Sequence, residues 1–238
     1  MFKNLIELTK VRIGFLNCTT TIIGFYLGAQ GNIDYLLLSY LVIGTLLSST
    51  GSSVMNNVFE SESDKLMNRT KNRVLPTKKI SINFAKFLGI SFIFSGLLIL
   101  YLKVNLLTCI LSLLTIFSYL FLYTPLKRKS WLNTSVGAIP GAIPPLGGWT
   151  AATNSLDWGG IAVFLILFFW QHPHFYSIAY MYKEDYKNAG LKMLPVIDNG
   201  VKRTVVHIFL HALILIPIST LPFFLGFSGR VYFVGAYI

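Results

Sequence analysis

The sequence predicts an all-α membrane protein in which several transmembrane helices form one bundle. Of its 238 residues, 54% are hydrophobic and only 12% are charged, whereas soluble domains carry about 25% charged residues. Apolar stretches of about 20 residues, long enough to cross a hydrocarbon core of about 30 Å, recur along the whole chain. In lipid such stretches must be helical, because no water is present to bond their backbone groups.

Seven apolar segments are expected to span the membrane, and an eighth begins near Val231 and is cut off by the end of the chain. The predicted spans are 13–29, 36–55, 84–102, 106–122, 133–150, 158–180 and 204–225. We therefore expect residues 1–238 to form a single transmembrane domain that is truncated at its C-terminus. No cleavable signal peptide is predicted, since the short charged start leads directly into a full-length span.

The basic residues are distributed unevenly between the two sides of these spans. Eighteen of the 20 lysines and arginines lie before span one, after spans two, four and six or, for Lys86, at the start of span three, whereas Lys103 and Arg230 lie in the opposite loops. This is the positive-inside pattern, and it predicts a cytoplasmic N-terminus. Since no Arg- and Ser-rich transit peptide precedes span one, we expect a multi-pass protein of a bacterial inner membrane. The net charge of +11 is thereby explained without a nucleic-acid partner.

Carboxylates and one amide gather at the end of span two. Asn56, Glu60 and Asp64 are spaced by four residues and share one helix face over about 12 Å. Their oxygens suit Mg²⁺, which commonly holds substrate phosphates through one or two carboxylates. Asp185, after span six, is the natural carboxylate to complete the metal site. The plainer interpretation is a solvated loop of mixed charge, as expected for Glu62, which lies off the stripe.

Basic and aromatic side chains near these carboxylates are candidates for contact with phosphate oxygens, because lysine and arginine bind phosphate well. They follow spans two and four, on the predicted cytoplasmic side. They would also be expected there as positive-inside anchors. The candidates are Arg69, Lys71, Arg73, Lys127 and Arg128, with Tyr123 beside them.

Helix breakers concentrate in span five, which holds Pro140, Pro144 and Pro145. Such residues are tolerated at membrane depth where protein or a cavity satisfies the freed backbone groups. Span five is therefore predicted to form a cavity wall. Gly137 and Gly141 have the spacing of a close helix-packing face, which is an alternative reason for the small residues.

Histidines near the ends of spans six and seven are the remaining polar candidates. His172 and His174 flank Pro173 and could bind a metal, a phosphate or a porphyrin, or belong to an interfacial aromatic belt. His207 and His211 are spaced for one helix face. They could ligate haem iron or simply face the bundle interior.

Taken together, these segments resemble the UbiA-type intramembrane prenyltransferases and, within them, the protoheme IX farnesyltransferases, also called heme O synthases. The resemblance begins at Thr9-Lys10-Val11-Arg12 and covers the rest of the chain. The motifs that carry it are Asn56-xxx-Glu60-xxx-Asp64, Arg69-Thr70-Lys71-Asn72-Arg73, Tyr123-Thr124-Pro125-Leu126-Lys127-Arg128, Gly141 to Trp149, Trp170-Gln171-His172-Pro173-His174-Phe175, and Asp185-Tyr186 with Met193-Leu194-Pro195-Val196.

The resemblance implies a bundle of nine helices whose acidic motifs hold Mg²⁺ and a prenyl diphosphate. It implies transfer of the farnesyl group of farnesyl diphosphate to the 2-vinyl group of haem b, with addition of water, to give haem o and diphosphate. Haem b is then a substrate, not a cofactor, and haem A synthase and terminal oxidase assembly are candidate partners. His172 and His174 become candidates to orient haem or a diphosphate oxygen.

Two departures from the family pattern bear on these expectations. Glu60 stands where aspartate is more usual, so the metal geometry would differ by one methylene. The chain also stops at Ile238, inside the expected span eight. The alternatives are a related prenyltransferase acting on a quinone precursor or chlorophyllide, a transporter with broken helices, and a structural subunit of an oxidase. A transporter would place its charges near the bilayer centre, and a structural subunit would not need the acidic stripe.

Overall fold

The computed structural model describes residues 2–198 and 200–236, and within these the protein is built of helices without strands. The helices Ile82–Ile99 and Leu106–Phe117 continue into π-helical turns at Leu100–Val104 and Ser118–Tyr123. The helices are α1 (Phe2–Thr9), α2 (Val11–Ala29), α3 (Tyr35–Asp64), α4 (Ile82–Ile99), α5 (Leu106–Phe117), α6 (Thr124–Lys129), α7 (Asn133–Thr153), α8 (Trp158–Met181), α9 (Lys183–Asn188), α10 (Leu194–Ile197), α11 (Lys202–Phe224) and α12 (Arg230–Gly235).

Each of the seven predicted spans coincides with one long helix. In the described chain, five helical segments are long and apolar enough to cross a membrane: α3, α4, α5 with its extension, α8 and α11. Their outward faces carry exposed aromatic side chains such as Phe87, Phe94 and Phe209. Large exposed apolar surfaces of this kind indicate contact with lipid. The number of seven spans stays a prediction, and the expected eighth begins at α12, with residues 237–238 outside the described part.

Polar caps set where several helices begin. The Asp34 carboxylate accepts the backbone N–H groups of the first turn of α3, and Asp157 does the same for α8. Ser81 caps α4 and Asn105 caps α5. Such caps satisfy N–H groups that have no partner within the helix, so they fix the point at which each helix enters the bundle.

Helices α2 and α7 pack with their backbones in contact. A Cβ atom added to Gly148 would lie 1.9 Å from the carbonyl oxygen of Thr21, and one added to Gly24 would lie 1.9 Å from that of Pro145. No side chain larger than hydrogen fits at either position. This contact brings the proline-rich helix α7 against the start of the bundle.

Gly137 and Gly141 both lie in close contact with a neighbouring segment, but they meet side chains of two different segments. Gly137 faces the ring of Tyr123, and Gly141 faces the Gln171 amide of α8. Gln171 in turn donates to the carbonyl oxygen of Ala138, at 3.2 Å. The glycines of α7 therefore leave room for side chains that approach from both neighbours.

Two loops close the end of the bundle that carries the predicted basic side. The loop after α3 places Met67 in a buried cluster with Ala189, Leu191 and Met193, which belong to the segment after α8. The two segments that hold the predicted acidic motifs are thus packed against each other, which brings the predicted site together.

Candidate functional site

The predicted acidic stripe lies in the last turns of α3. Asn56 and Asp64 are each 1% exposed, and the Glu60 side chain is largely buried. Helix α3 ends at Asp64, so all three residues share the helix as predicted. Glu62 is exposed and pairs with Lys65 at 2.6 Å, as expected for a solvated neighbour. We call this end of the molecule the charged end.

Each carboxylate of the stripe has a cationic partner from another segment. Lys127 Nζ lies 2.6 Å from Glu60 Oε1, and Arg73 Nη1 lies 3.0 Å from Asp64 Oδ2. Lys127 also lies over the ring of Tyr123, 4.4 Å from its centroid. Ion pairs removed from water require good geometry to offset lost solvation, and these pairs fix the two carboxylates in place.

The amide of Asn56 joins the stripe to two further segments. Its Oδ1 accepts a hydrogen bond from Lys10 Nζ at 3.1 Å, and its Nδ2 donates to Thr124 Oγ1 at 3.1 Å. Loss of solvation, with repulsion from Arg73, lowers the pKa of Lys10 to about 8. A nearby anion would therefore stabilise the charged form of Lys10.

Asp185 connects the two acidic loops through the backbone. Its Oδ1 accepts the N–H of Asn68 and its Oδ2 the N–H of Arg69, both at 3.1 Å. The Arg69 guanidinium lies over the ring of Tyr182, 4.8 Å from the centroid. Each Asp185 oxygen retains a lone pair, so the carboxylate can hold this loop and still accept another ligand.

The remaining two predicted phosphate contacts differ in position. Arg128 Nη2 donates to Ser63 Oγ at 2.5 Å, which brings Arg128 beside the stripe. Lys71 is exposed and donates to Asn68 Oδ1 at 2.8 Å within its own loop. Lys71 therefore contacts its own loop, whereas Arg128 contacts helix α3.

The donor set at the charged end fits Mg²⁺, which prefers carboxylate and amide oxygens. Within the described residues no group of three or more His, Cys, Asp and Glu side chains is arranged to hold a metal ion. Glu60 and Asp64 are instead paired with cations, whereas Asp64 Oδ1 is buried without a hydrogen-bond partner among the described residues. A cation would therefore be stabilised most by binding at Asp64 Oδ1.

Histidines of α8 and α11 form a second polar group, which we call the histidine cluster: His172, His207 and His211. The rings of His172 and His211 stack with centroids 4.0 Å apart. His172 has both ring nitrogens engaged, with Phe168 O at 2.8 Å and Ser135 Oγ at 3.1 Å. His211 Nδ1 lies 2.6 Å from the carbonyl oxygen of His207.

Three ring nitrogens of the histidine cluster remain open. Among the described residues, neither ring nitrogen of His207 has a hydrogen-bond partner, and neither does Nε2 of His211. Trp131 packs edge-on to His207 with centroids 5.3 Å apart, and the Arg203 guanidinium lies over Trp131 at 5.5 Å. An aromatic wall with an adjacent cation and free imidazole nitrogens thus faces α8.

The structure does not bring His174 to this cluster. His174 is exposed and stacks on Trp170 with centroids 5.0 Å apart, whereas His172 is 1% exposed. Two residues along a helix differ by about 200° in direction, so neighbouring histidines face opposite ways. The structure thus separates the two candidates: His172 lies in the bundle interior, whereas His174 is exposed.

Helix α7 forms a wall of an internal cavity, as its helix breakers predicted. Ile143, Pro144 and Gly147 line the cavity. The carbonyl oxygen of Gly147 accepts a hydrogen bond from Thr108 Oγ1 at 3.4 Å. A side chain of α5 thereby meets a backbone acceptor of the proline-rich segment.

Sequence reasoning missed three residues at the charged end: Lys10, Thr124 and Ser63. Lys10 was assigned to the positive-inside pattern and to the start of the family resemblance but not to the site, although its ammonium contacts Asn56. Thr124 and Ser63 carry no signal of their own, because hydroxyl groups are common near membrane interfaces. The motif around Thr124 was the only available sign that it belonged to the site.

Comparison with known proteins identifies the family. Residues 17–238 match the UbiA prenyltransferase family. The chain belongs to this family. It is 45% identical to the protoheme IX farnesyltransferase of Solibacter usitatus, over 98% of this chain and 83% of the relative. It is 40% identical to the protoheme IX farnesyltransferase of Aquifex aeolicus, over 100% of this chain and 82% of the relative.

Solved structures agree on the fold. A UbiA homologue from Archaeoglobus fulgidus, bound to DMAPP and Mg²⁺, matches with a TM-score of 0.82 over 98% of this chain and 82% of that chain, at 17% identity. A digeranylgeranylglyceryl phosphate synthase matches with a TM-score of 0.79 over 99% of this chain and 86% of that chain, at 18% identity. The bundle is thus of the UbiA type.

Proposed function

We propose that this chain is a membrane prenyltransferase that transfers the farnesyl group of farnesyl diphosphate to the 2-vinyl group of haem b. Water adds in the same overall reaction, which gives haem o and diphosphate. The observation that carries the proposal is the 45% identity to a protoheme IX farnesyltransferase over 98% of the chain. The charged end and the histidine cluster supply the two kinds of site that this reaction requires.

The charged end binds the diphosphate. Lys127, Arg73 and Lys10 reach it from three different segments, and each already contacts the acidic stripe. Cations fixed in this way stabilise the charge that builds on the diphosphate as the C1–O bond of the donor breaks. Arg69 and Arg128 lie at the edge of this group and extend the positive surface.

Asn56, Glu60, Asp64 and Asp185 would hold Mg²⁺, with the unpartnered Asp64 Oδ1 as the first ligand. When bound, Mg²⁺ supplies positive charge that neutralises the departing diphosphate. The ion pairs Glu60–Lys127 and Asp64–Arg73 keep the carboxylates oriented before substrate binds. Asp185 keeps the loop after α3 in place by accepting its backbone N–H groups.

The histidine cluster binds the acceptor. A porphyrin is a flat aromatic ring with a central iron and two propionates, so it needs an aromatic wall, a nitrogen ligand and a cation. His207 and His211 offer free ring nitrogens, Trp131 offers the wall, and Arg203 offers the cation. His172 supports His211 by ring stacking. A benzoate acceptor would have no use for these nitrogens.

The distribution of basic residues gives the orientation in the membrane. The charged end carries the basic loops, which the positive-inside rule assigns to the cytoplasm. We infer that the N-terminus and the diphosphate site face the cytoplasm of a bacterial inner membrane. Haem A synthase and terminal oxidase assembly are then the candidate recipients of the product.

The test is a reaction in membranes that contain this chain, with haem b, farnesyl diphosphate and Mg²⁺, followed by chromatography and mass spectrometry of the pigments. We expect a haem species heavier by one farnesyl group and one water, formed only when Mg²⁺ is present. The matched negative control is the Asp64→Asn variant at equal membrane abundance. Product with 4-hydroxybenzoate but none with haem would contradict the proposal and favour a quinone precursor as acceptor.

A further inference from the structure

A cavity of about 50 Å³ lies within the bundle, between α2, α3, α5 and α7. Eight of its 16 lining residues are serines or threonines, although most of the surface that the lining presents to the cavity is apolar. By the same measure of volume, one water molecule needs about 10–15 Å³, so the cavity has room for about three. What it holds therefore depends on the few polar atoms that face it and lack a partner.

The cavity begins one helical turn from the charged end. Ser48 and Ser52 continue the four-residue spacing of Asn56, Glu60 and Asp64 along α3, and both serines line the cavity. Four residues rise about 6 Å, so Ser52 lies one turn deeper in the membrane than Asn56. A diphosphate bound at the charged end would thus have this cavity one helical turn away from Asn56.

Several hydroxyl groups of the cavity have already donated their protons to helix carbonyls. Thr21 donates to Asn17 O at 2.8 Å, and Thr115 donates to Leu111 O at 2.9 Å. Their oxygens keep lone pairs that can accept hydrogen bonds. A water that donates both its hydrogens to such oxygens has its own lone pairs turned outward, as a nucleophile requires.

Ser52 is the cavity residue that most needs a partner. It is 5% exposed, and its Oγ has no hydrogen-bond partner among the described residues. A buried hydroxyl without a partner costs about 1–3 kcal/mol of free energy. A hydrocarbon chain would leave this group unsatisfied, whereas water would satisfy it.

We propose that this cavity holds the water that adds to the acceptor, and that Ser52 positions it; the inference rests on the proposed function. The C–O bond of the donor breaks, and its electron pair leaves with the diphosphate. The vinyl π electrons form the new C–C bond to farnesyl, which leaves a cation on the carbon beside the porphyrin. A lone pair of the water forms the C–O bond to that carbon, and the released proton leaves with the diphosphate.

The test measures which product forms, not only how much. If the cation is not captured by water, it loses a proton and gives a farnesylated haem lighter by one water. In Ser52→Ala we expect the ratio of this lighter product to haem o to rise about tenfold, the worth of one hydrogen bond to the water. Ser52→Thr, which keeps the hydroxyl, should restore the ratio.

The matched control is Ser53→Ala, since Ser53 is also buried in α3 but does not line the cavity. Its product ratio should equal that of the unchanged protein. If Ser52→Ala fails to fold, Ser112→Ala on α5 probes the same cavity, because Ser112 bonds to Ser48 at 3.2 Å. It should shift the ratio in the same direction.

The outcomes separate this inference from the proposed function. If the unchanged protein forms no farnesylated haem, the proposed function fails. If it forms haem o, and Ser52→Ala and Ser112→Ala both keep its product ratio, the cavity is not the water site, although the proposed function stands. A rise in free farnesol at an unchanged product ratio would likewise overturn the inference, since the water would then meet only the farnesyl cation.

Discussion

The charged end and the histidine cluster differ in how completely their polar groups are paired. At the charged end, Glu60 and Asp64 each have a cation within 3.0 Å. In the histidine cluster, His207 has no ring hydrogen bond among the described residues, although it packs against Trp131. The ion pairs hold the buried charges in position for a charged ligand. The imidazole nitrogens without a partner can instead bind a ligand directly. The two regions should therefore respond to mutation in different measurements.

The largest effect is expected for Asp64→Asn. The change leaves Arg73 without its charge partner and removes the carboxylate predicted to hold Mg²⁺. Loss of one fixed electrostatic contact at a reacting centre costs about 10²–10³-fold, and here two functions are lost, so we expect a decrease of about 10³-fold in turnover. The absorption spectrum of added haem should not change, which separates this region from the histidine cluster.

Glu62→Gln is the matched control for Asp64→Asn. It alters an exposed carboxylate of the same helix whose only partner among the described residues is Lys65, and we expect turnover within about twofold of the unchanged protein. Near-normal product formation by Asp64→Asn would contradict the metal-site assignment.

A smaller effect is expected for Asp185→Asn. The amide oxygen can still accept one of the two backbone N–H groups, so the loop after α3 is only partly released. Groups that orient a metal ligand are worth about 10–100-fold, and we expect a loss near the upper figure with a higher Mg²⁺ concentration at half-maximal rate. Glu184→Gln, an exposed neighbour, should change neither quantity. An unchanged Mg²⁺ requirement would leave Asp185 with the loop-holding role alone.

The comparison also separates what the sequence could and could not predict. Apolar length fixed the seven helices, and a spacing of four residues placed Asn56, Glu60 and Asp64 on one helix face. Pairs between distant segments could not be predicted in this way, since Lys127 and Glu60, for example, are 67 residues apart. Periodicity tells which side chains share a face, but not which face a neighbouring helix presents.

The histidines show the same limit of prediction from sequence. The motif around Pro173 made both His172 and His174 candidates to orient haem or a diphosphate oxygen, although helical geometry directs them about 200° apart. His211, on a different helix, is the residue that stacks on His172. A helical projection of residues 170–176 would have shown that the two side chains point in different directions. This difference is not apparent when the motif is treated as a unit.

A moderate effect on acceptor binding is expected for His211→Ala. Removal of this ring takes away one free nitrogen and the stacking partner of His172. We expect the dissociation constant for haem to rise about tenfold, equivalent to about 1.4 kcal/mol. Haem titration followed at the Soret band checks this, and diphosphate binding should be retained. His174→Ala, which alters an exposed ring, should change haem affinity less; an equal or larger change would mean that the lipid-facing side of α8 contacts the acceptor.

The smallest effect is expected for Lys127→Arg. Arginine keeps the positive charge beside Glu60, but its planar guanidinium differs in shape from the ammonium that lies 2.6 Å from Glu60 Oε1 and over the Tyr123 ring. We expect a loss of about fivefold, equivalent to about 1 kcal/mol of transition-state stabilisation. Lys127→Met, which removes the charge and leaves Glu60 unpaired, should lose far more. If the two variants are equally impaired, the geometry of the ammonium matters more than its charge, and the pairing that distinguishes the charged end would be a matter of shape.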